Sequence, residues 1–440
     1  MTATRKLWVF LIGLLLASFT VLLWVGGEIH RVMPPIPKAV LSDNGAVLYT
    51  RADIEQGRQV WQSIGGHQLG SIWGHGSYVA PDWSADWLHR EAIEWLNITA
   101  RSQTAHDYAE LPADQQAGLR AQLQATIRTN TYDPKSDTIT LTSERATAIA
   151  TVTSHYEALF GSDPKLLELR KAYAMKQGTV DTAEHRQALT AFIWWSAWSA
   201  VTERPGKHIT YTNNWPHEPL VGNTPPPQLL MWTVFSVLFL IAGIALLGWH
   251  HARHKDEPIE LPKSDPLALV RVTPSMKATA KYFWLVIALF LTQILLGAIT
   301  AHYQVEGQEA YGFALSNYLP YSLSRTWHTQ LAVLWIATAW LGMGLYIGPA
   351  ISGFEPKFQR LGVNVLFTCL LIIVVGAFTG QWLAVMQKLG LAKNFWFGHQ
   401  GWEYVDLGRF WQIFLFAGLG IWLTLVGRAL WPAIKRGGES

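Results

Sequence analysis

Six apolar stretches punctuate this 440-residue sequence, each long enough to cross a hydrocarbon core of roughly 30 Å as a helix of about 20 residues. They run over residues 7–27, 229–248, 282–301, 326–348, 362–385 and 410–431. Backbone polar groups inside lipid must be paired within the chain, so runs of this length imply helices. The expected fold class is a mainly α membrane protein with six transmembrane helices. Composition agrees: half of the residues are hydrophobic and 15% are charged, a balance that soluble domains rarely show. A formal net charge of +3 is too small to suggest a nucleic-acid partner, and the first partner implied is membrane lipid.

The first stretch follows Arg5 and Lys6, as a secretory signal would. Its apolar length exceeds a signal core, however, and the Gly26-Gly27-Glu28-Ile29-His30 that follows is no small-residue cleavage site, so a retained anchor over residues 1–27 is expected. Basic residues mark the inner ends of membrane helices. Arg5 and Lys6, then Arg253, Lys255, Lys263, Arg271 and Lys277, then Lys357 and Arg360, then Lys435 and Arg436 all fall on one side. Both termini are therefore expected inside, with residues 28–228 as a long outer domain. Residues 229–248 link that domain to a four-helix unit over 282–440.

Within the outer domain, residues 111–128 and 143–159 alternate polar and apolar positions at helical spacing, and 185–201 begins polar and turns apolar. Alternating valine-rich runs are scarce, which predicts a helical domain. Pro225-Pro226-Pro227 closes it. The run His250-His251-Ala252-Arg253-His254 lies at a span end without a carboxylate or thiolate partner and reads as a solvated helix end. The single cysteine, Cys369, sits in an apolar run. The chain thus offers no disulfide of its own, no thiolate metal site and no covalent haem attachment, and any haem must be held by histidine.

Three constellations carry chemistry. Arg325-Thr326-Trp327-His328 opens the fourth apolar stretch at its outer mouth. An ionisable group entering a membrane points to function. Ligation of haem iron would use His328, and Arg325, three residues earlier on the same helical face, is placed to neutralise a haem propionate. The alternative is an interfacial His–Arg pair. His302 and Glu306 lie just past the outer end of the third stretch and share a face if the helix continues. Oxidising a quinol releases two protons, and a histidine with a carboxylate supplies an acceptor for each; a solvated loop is the other reading. Gly401-Trp402-Glu403-Tyr404-Val405-Asp406 precedes the sixth stretch on the outer side. Its carboxylates suit a hard cation such as calcium, or form a solvated acidic turn.

Motifs spread along the chain resemble quinol-dependent nitric oxide reductases, members of the haem-copper oxidase superfamily. Gly57-Arg58-Gln59-Val60-Trp61-Gln62-Ser63-Ile64-Gly65-Gly66-His67 and Gly74-His75-Gly76-Ser77-Tyr78-Val79-Ala80-Pro81 are similar to the cytochrome c subunit of related enzymes. There a C-x-x-C-H motif stands where Ser63, Gly66 and His67 stand here. The resemblance implies a pseudo-cytochrome c domain that keeps the frame without haem c. Asn213-Asn214-Trp215-Pro216-His217-Glu218-Pro219 and Leu319-Pro320-Tyr321-Ser322-Leu323-Ser324-Arg325-Thr326-Trp327-His328 extend the likeness. It implies His328 as one axial ligand of a low-spin haem b, Arg325 as a propionate contact, and His302 and Glu306 as quinol-binding residues. It further implies Glu403 as a ligand of a structural calcium. The location implied is a bacterial inner membrane, with residues 28–228 in the periplasm.

The resemblance covers nearly the whole chain and also exposes a departure. In the family further helices supply the second haem b ligand, the ligand of haem b3 and the histidines and glutamate of a non-haem iron, and none of these is evident here. The expectation is the N-terminal portion of an enzyme that reduces two NO to N2O with electrons from quinol, a partial subunit I-like bundle that is inactive alone. It is then one part of a split enzyme whose separate chain carries the remaining helices, a truncated product or a fragment of a longer chain. The alternative is a non-catalytic membrane module that binds quinol or a partner subunit.

Overall fold

The computed structural model describes residues 3–253, 263, 268, 270–307 and 311–437; His254 and Lys255 lie outside them. Six of the described helices are long and apolar enough to span a membrane. The first, α1 (Ala3–Val32), leads into a domain built of β1 (Ala39–Ser42), β2 (Val47–Thr50), α2 (Arg51–Ser63), β3 (Ser71–Ile72), β4 (His75–Gly76), α3 (Trp83–Thr104), α4 (Ala113–Arg128), β5 (Tyr132–Asp133), β6 (Thr138–Leu141), α5 (Ser143–Phe160), α6 (Leu167–Ala172) and α7 (Ala183–Val201). Its helices start where the sequence offers capping oxygens. Thr50 and Asp53 form a reciprocal capping box on α2, and Asp82, Thr142 and Thr182 cap α3, α5 and α7.

The domain is mainly helical as expected, but it also holds a four-stranded sheet in the order β2-β1-β6-β5 and a small β3-β4 hairpin. Strands of two to four residues are too short for a period-two pattern to show. The parallel β1–β6 pairing, Ala39 opposite Thr138, joins segments far apart in the chain. From Ala188 to Val201 α7 is buried on every side, which explains its apolar second half: it is the axis of the domain. Trp83, Trp87, Trp194 and Trp198 are fully buried around it. Glu91 accepts from Arg145 Nε at 2.6 Å and from Trp87 Nε1 at 2.8 Å in this core. Removing either charged partner would strand a buried charge, at a cost of about 3–5 kcal/mol.

Beyond α8 (Pro227–Arg253) the chain forms α9 (Pro274–Ala278), α10 (Ala280–Val305), α11 (Tyr321–Ser352), α12 (Gln359–Val385), α13 (Leu391–Phe397) and α14 (Arg409–Gly437). Helices α10, α11, α12 and α14 pack around Tyr282, Leu289, Leu296, Leu331, Leu345, Val363 and Leu425. Lipid tails are as apolar as these side chains, so association relies on close packing at small residues. A Cβ at Gly376 would fall 2.1 Å from the Trp411 ring, and one at Gly344 2.5 Å from Trp422. The spans are longer than their apolar stretches: α10 continues to Val305 and α11 begins at Tyr321. His302 is thus on the last turn of a helix rather than beyond it. Helix α8 buries no residue, leaving its apolar surface for lipid or other helices.

Candidate functional site

The mouth of the α10–α11 hairpin, the loop before α14 and the α2–β3 turn of the N-terminal domain meet at one place. Gly66 lies so close to Gly401 that a Cβ on it would fall 2.3 Å from the Gly401 Cα. His67 N donates to Gly401 O at 3.0 Å. Gln68 is completely buried, and its Nε2 donates to the carbonyls of Trp402 and Glu403 and to Asp406 Oδ2, each at 2.8 Å. Ser77 Oγ donates to Tyr321 Oη at 3.0 Å, and Ser322 Oγ to Ile64 O at 3.3 Å. The segment that resembles a haem c motif therefore docks the domain onto the bundle. The ring of His67 packs edge-on against Trp61, 4.7 Å between centroids, and lies 6.2 Å from Trp402. Burial lowers its imidazole pKa, opposed by the hydrogen bond to His75 O.

His328 sits two turns into α11 with its ring against α10. A Cβ at Gly297 would lie 2.7 Å from the His328 ring, so glycine makes the space the imidazole occupies. His328 Nδ1 is 2.9 Å from the carbonyl oxygen of Gln293. A carbonyl only accepts, so Nδ1 carries the proton and Nε2 keeps its lone pair, the tautomer a metal-ligating histidine needs. Gln293 is itself fixed by Trp335 Nε1, which donates to its Oε1 at 2.7 Å. Arg325, one turn earlier, donates to Gln68 Oε1 and lies 4.0 Å from Glu403 Oε1.

His302 and Glu306 pair as their spacing predicts, Nδ1 to Oε2 at 2.7 Å, with about half of each side chain exposed (52% and 53%). Tyr311 closes one side, its ring 6.2 Å from that of His302 and its Oη donating to Ile299 O at 2.9 Å. His302 is five residues beyond Gly297, about 7–8 Å along the helix from the ring of His328. Thr300 Oγ1 and Ser324 Oγ, 3.2 Å apart, hold the two helices together between these groups.

His399 reads in the sequence as one more histidine of a loop between spans, yet it is fully buried at this site. Gly401 N donates to its Nδ1 at 2.9 Å, so its Nε2 carries the proton and donates to Thr326 Oγ1 at 2.8 Å. Asp406, expected in a solvated or calcium-binding turn, is fully buried as well. Burial lowers His399 to about 3 and raises Asp406 to about 8, the latter against the hydrogen bond from Gln68 and the charge of Arg325. Both are neutral at pH 7, and their 3.6 Å approach is not an ion pair. The one signal for this cluster was Gly398-His399-Gln400-Gly401, a polar run between glycines; its partners come from two other stretches.

Glu403 faces the Arg325 guanidinium, and among the described residues no three His, Cys, Asp or Glu side chains converge as a metal site. A calcium site takes six to eight oxygens, of which Glu403 would supply one or two; the cation nearest to it among the described residues is Arg325.

Residues 37–217 match the family of the cytochrome c-like domain of nitric oxide reductase B, and residues 277–437 match the family described as cytochrome C and quinol oxidase polypeptide I. The chain belongs to the nitric oxide reductase B-like proteins of the haem-copper oxidase superfamily. No curated protein matches it. Membership implies haem cofactors, and His328 fits one: a half-buried imidazole held by its Nδ1 proton, with no hydrogen bond at Nε2 among the described residues. In this reductase-like chain Gly66, where the cytochromes carry the second thiol, has φ +50° and no room for a side chain, so docking now occupies the place of attachment.

Proposed function

We propose that this chain is the electron-entry part of a quinol-dependent nitric oxide reductase. His328 would hold the iron of a low-spin haem b through Nε2, and Arg325, three residues away, would face a propionate. Bound there, haem supplies a one-electron acceptor beside the quinol pocket. In that pocket Glu306 Oε2 accepts from His302 Nδ1–H, which leaves His302 Nε2 as the base for one quinol hydroxyl. Glu306, its side chain half exposed, takes the second proton and passes it to water. The remaining haem and non-haem iron ligands, and the NO chemistry, come from helices outside these residues. The basic ends of the spans support an inner-membrane orientation with residues 28–228 periplasmic.

The observation that carries this reading is the fixed tautomer of His328 on the same hairpin as the His302–Glu306 pair. A non-catalytic module that binds quinol or a partner subunit is the second reading, favoured by the lack of a convergent metal cluster among the described residues. Quinol titration of the chain in nanodiscs tests the pocket. His302→Phe and Glu306→Gln are expected to weaken binding roughly tenfold, the loss of one hydrogen bond to a charged or polarised group. Unchanged binding in both variants would remove quinol from the proposal.

A further inference from the structure

At the end of the bundle away from the N-terminal domain, a cavity of about 800 Å³ opens between the start of α10, the end of α11 and the start of α12. Arg271, Lys277, Lys281 and Arg360 line it, with Asn364 and one carboxylate, Glu355. Glu355 Oε1 already accepts from Ser275 N at 2.8 Å. Arg271, Lys277 and Arg360 have no carboxylate within 4.0 Å among the described residues. Among the described residues, four cations thus share a concave space with Glu355 as the one carboxylate in its lining.

Lys281 distinguishes this cavity from an ordinary basic helix end. It is the second residue of α10, directly before the apolar stretch that begins at residue 282, at the level where an ammonium entering the membrane is expensive unless paired. Its Nζ donates to the neutral Asn364 Oδ1 and sits 4.9 Å from the Phe367 ring centroid. Neither partner carries negative charge. A group that reaches this depth and brings the missing charge is the phosphate of a lipid headgroup, at the level where the apolar span meets water.

We propose that this cavity binds the phosphate of an anionic phospholipid, with Lys281 and Arg360 as its principal contacts. Lys281 meets the phosphate from below and Arg360 from the rim, while Arg271 and Lys277 widen the positive field. The site is independent of the haem and quinol reading, being at the opposite end of the helices.

The test uses the full chain in detergent, titrated with phosphatidylglycerol, phosphatidylcholine or inorganic phosphate, with melting and native mass spectrometry as readouts. Phosphatidylglycerol is expected to raise Tm and stay bound, and phosphatidylcholine to do neither. In a Lys281→Gln/Arg360→Gln variant half-saturation should need roughly tenfold more phosphatidylglycerol or beyond, while Lys435→Gln, outside the cavity, should behave as the parent. If the double variant does not fold, Arg271→Gln/Lys277→Gln, exposed and with no carboxylate partner among the described residues, carries the test with a smaller shift. An equal response in cavity and control variants overturns the proposal. Protection by millimolar inorganic phosphate equal to that by the lipid overturns the assignment to a membrane source.

Discussion

Replacing Gly66 with alanine should separate the N-terminal domain from the bundle. Gly66 has φ +50°, and a Cβ there would lie 2.3 Å from Gly401 Cα and 2.4 Å from Gly401 O. Both obstacles are backbone, so no side chain can swing away. A left-handed backbone costs alanine roughly 1–2 kcal/mol, and forced overpacking adds about 1–3 kcal/mol. The loop would yield first, and with it the bonds from His67 N and Gln68 Nε2 that tie Gly401, Trp402, Glu403 and Asp406. A total of about 2–5 kcal/mol corresponds to a fall in Tm on the order of 10 °C, read by tryptophan fluorescence in detergent. Gly118→Ala is the control: nothing lies within 4 Å of its Cβ, and alanine in a helix is favoured by roughly 1 kcal/mol. If Gly66→Ala melts within about 2 °C of the parent, the docking seen at Gly66–Gly401 does not hold the two parts together.

Stability should also depend on pH through Asp406 and His399. Asp406 titrates near 8 when folded, above its unfolded value of 3.8, so the folded state holds its proton longer and stability falls as pH rises from 3.8 toward 8. His399, lowered to about 3 from 6.5, works oppositely between those values, and the two nearly cancel below pH 6.5. Between 6.5 and 8 the Asp406 contribution stands alone, a loss of about 1 kcal/mol per pH unit. Asp406→Asn should flatten that slope in a Tm-against-pH series, and an unchanged slope would place the titration elsewhere. Gly297→Ala should push the His328 ring off the Gln293 carbonyl. Haem affinity is then expected to drop about 10-fold or more, as when a metal-ligating histidine loses the acceptor that orients it, with haem titration as the check; unaltered affinity would mean that the ring is not held by this contact.

The six helices were legible because each apolar run is long, and their ends were not, because they are polar. Tyr321–Arg325 and His302–Val305 are helical but carry the hydroxyls and charges that face the interface. The His302–Glu306 pair was legible because its geometry is local, a matter of four residues on one helix. His399 was not, because its meaning comes from Thr326 and Asp406, 73 and 7 positions away, and from the turn at Gly401. The Gly66-His67-Gln68 segment showed its ancestry in sequence, yet its present role depends on a loop more than 330 residues later. The small sheet escaped notice for the same reason, since its central β1–β6 pairing is non-local.

In the proposed electron-entry role, His328 would ligate a haem that accepts electrons from the quinol side. The direct measurement is a reduced-minus-oxidised spectrum, with electron paramagnetic resonance, of the chain co-expressed with helices that supply a second axial histidine. A low-spin b-type signal is expected in the parent and should disappear in His328→Ala, while Tm and the quinol affinity at His302 and Glu306 persist. A low-spin signal of undiminished intensity in His328→Ala would contradict it.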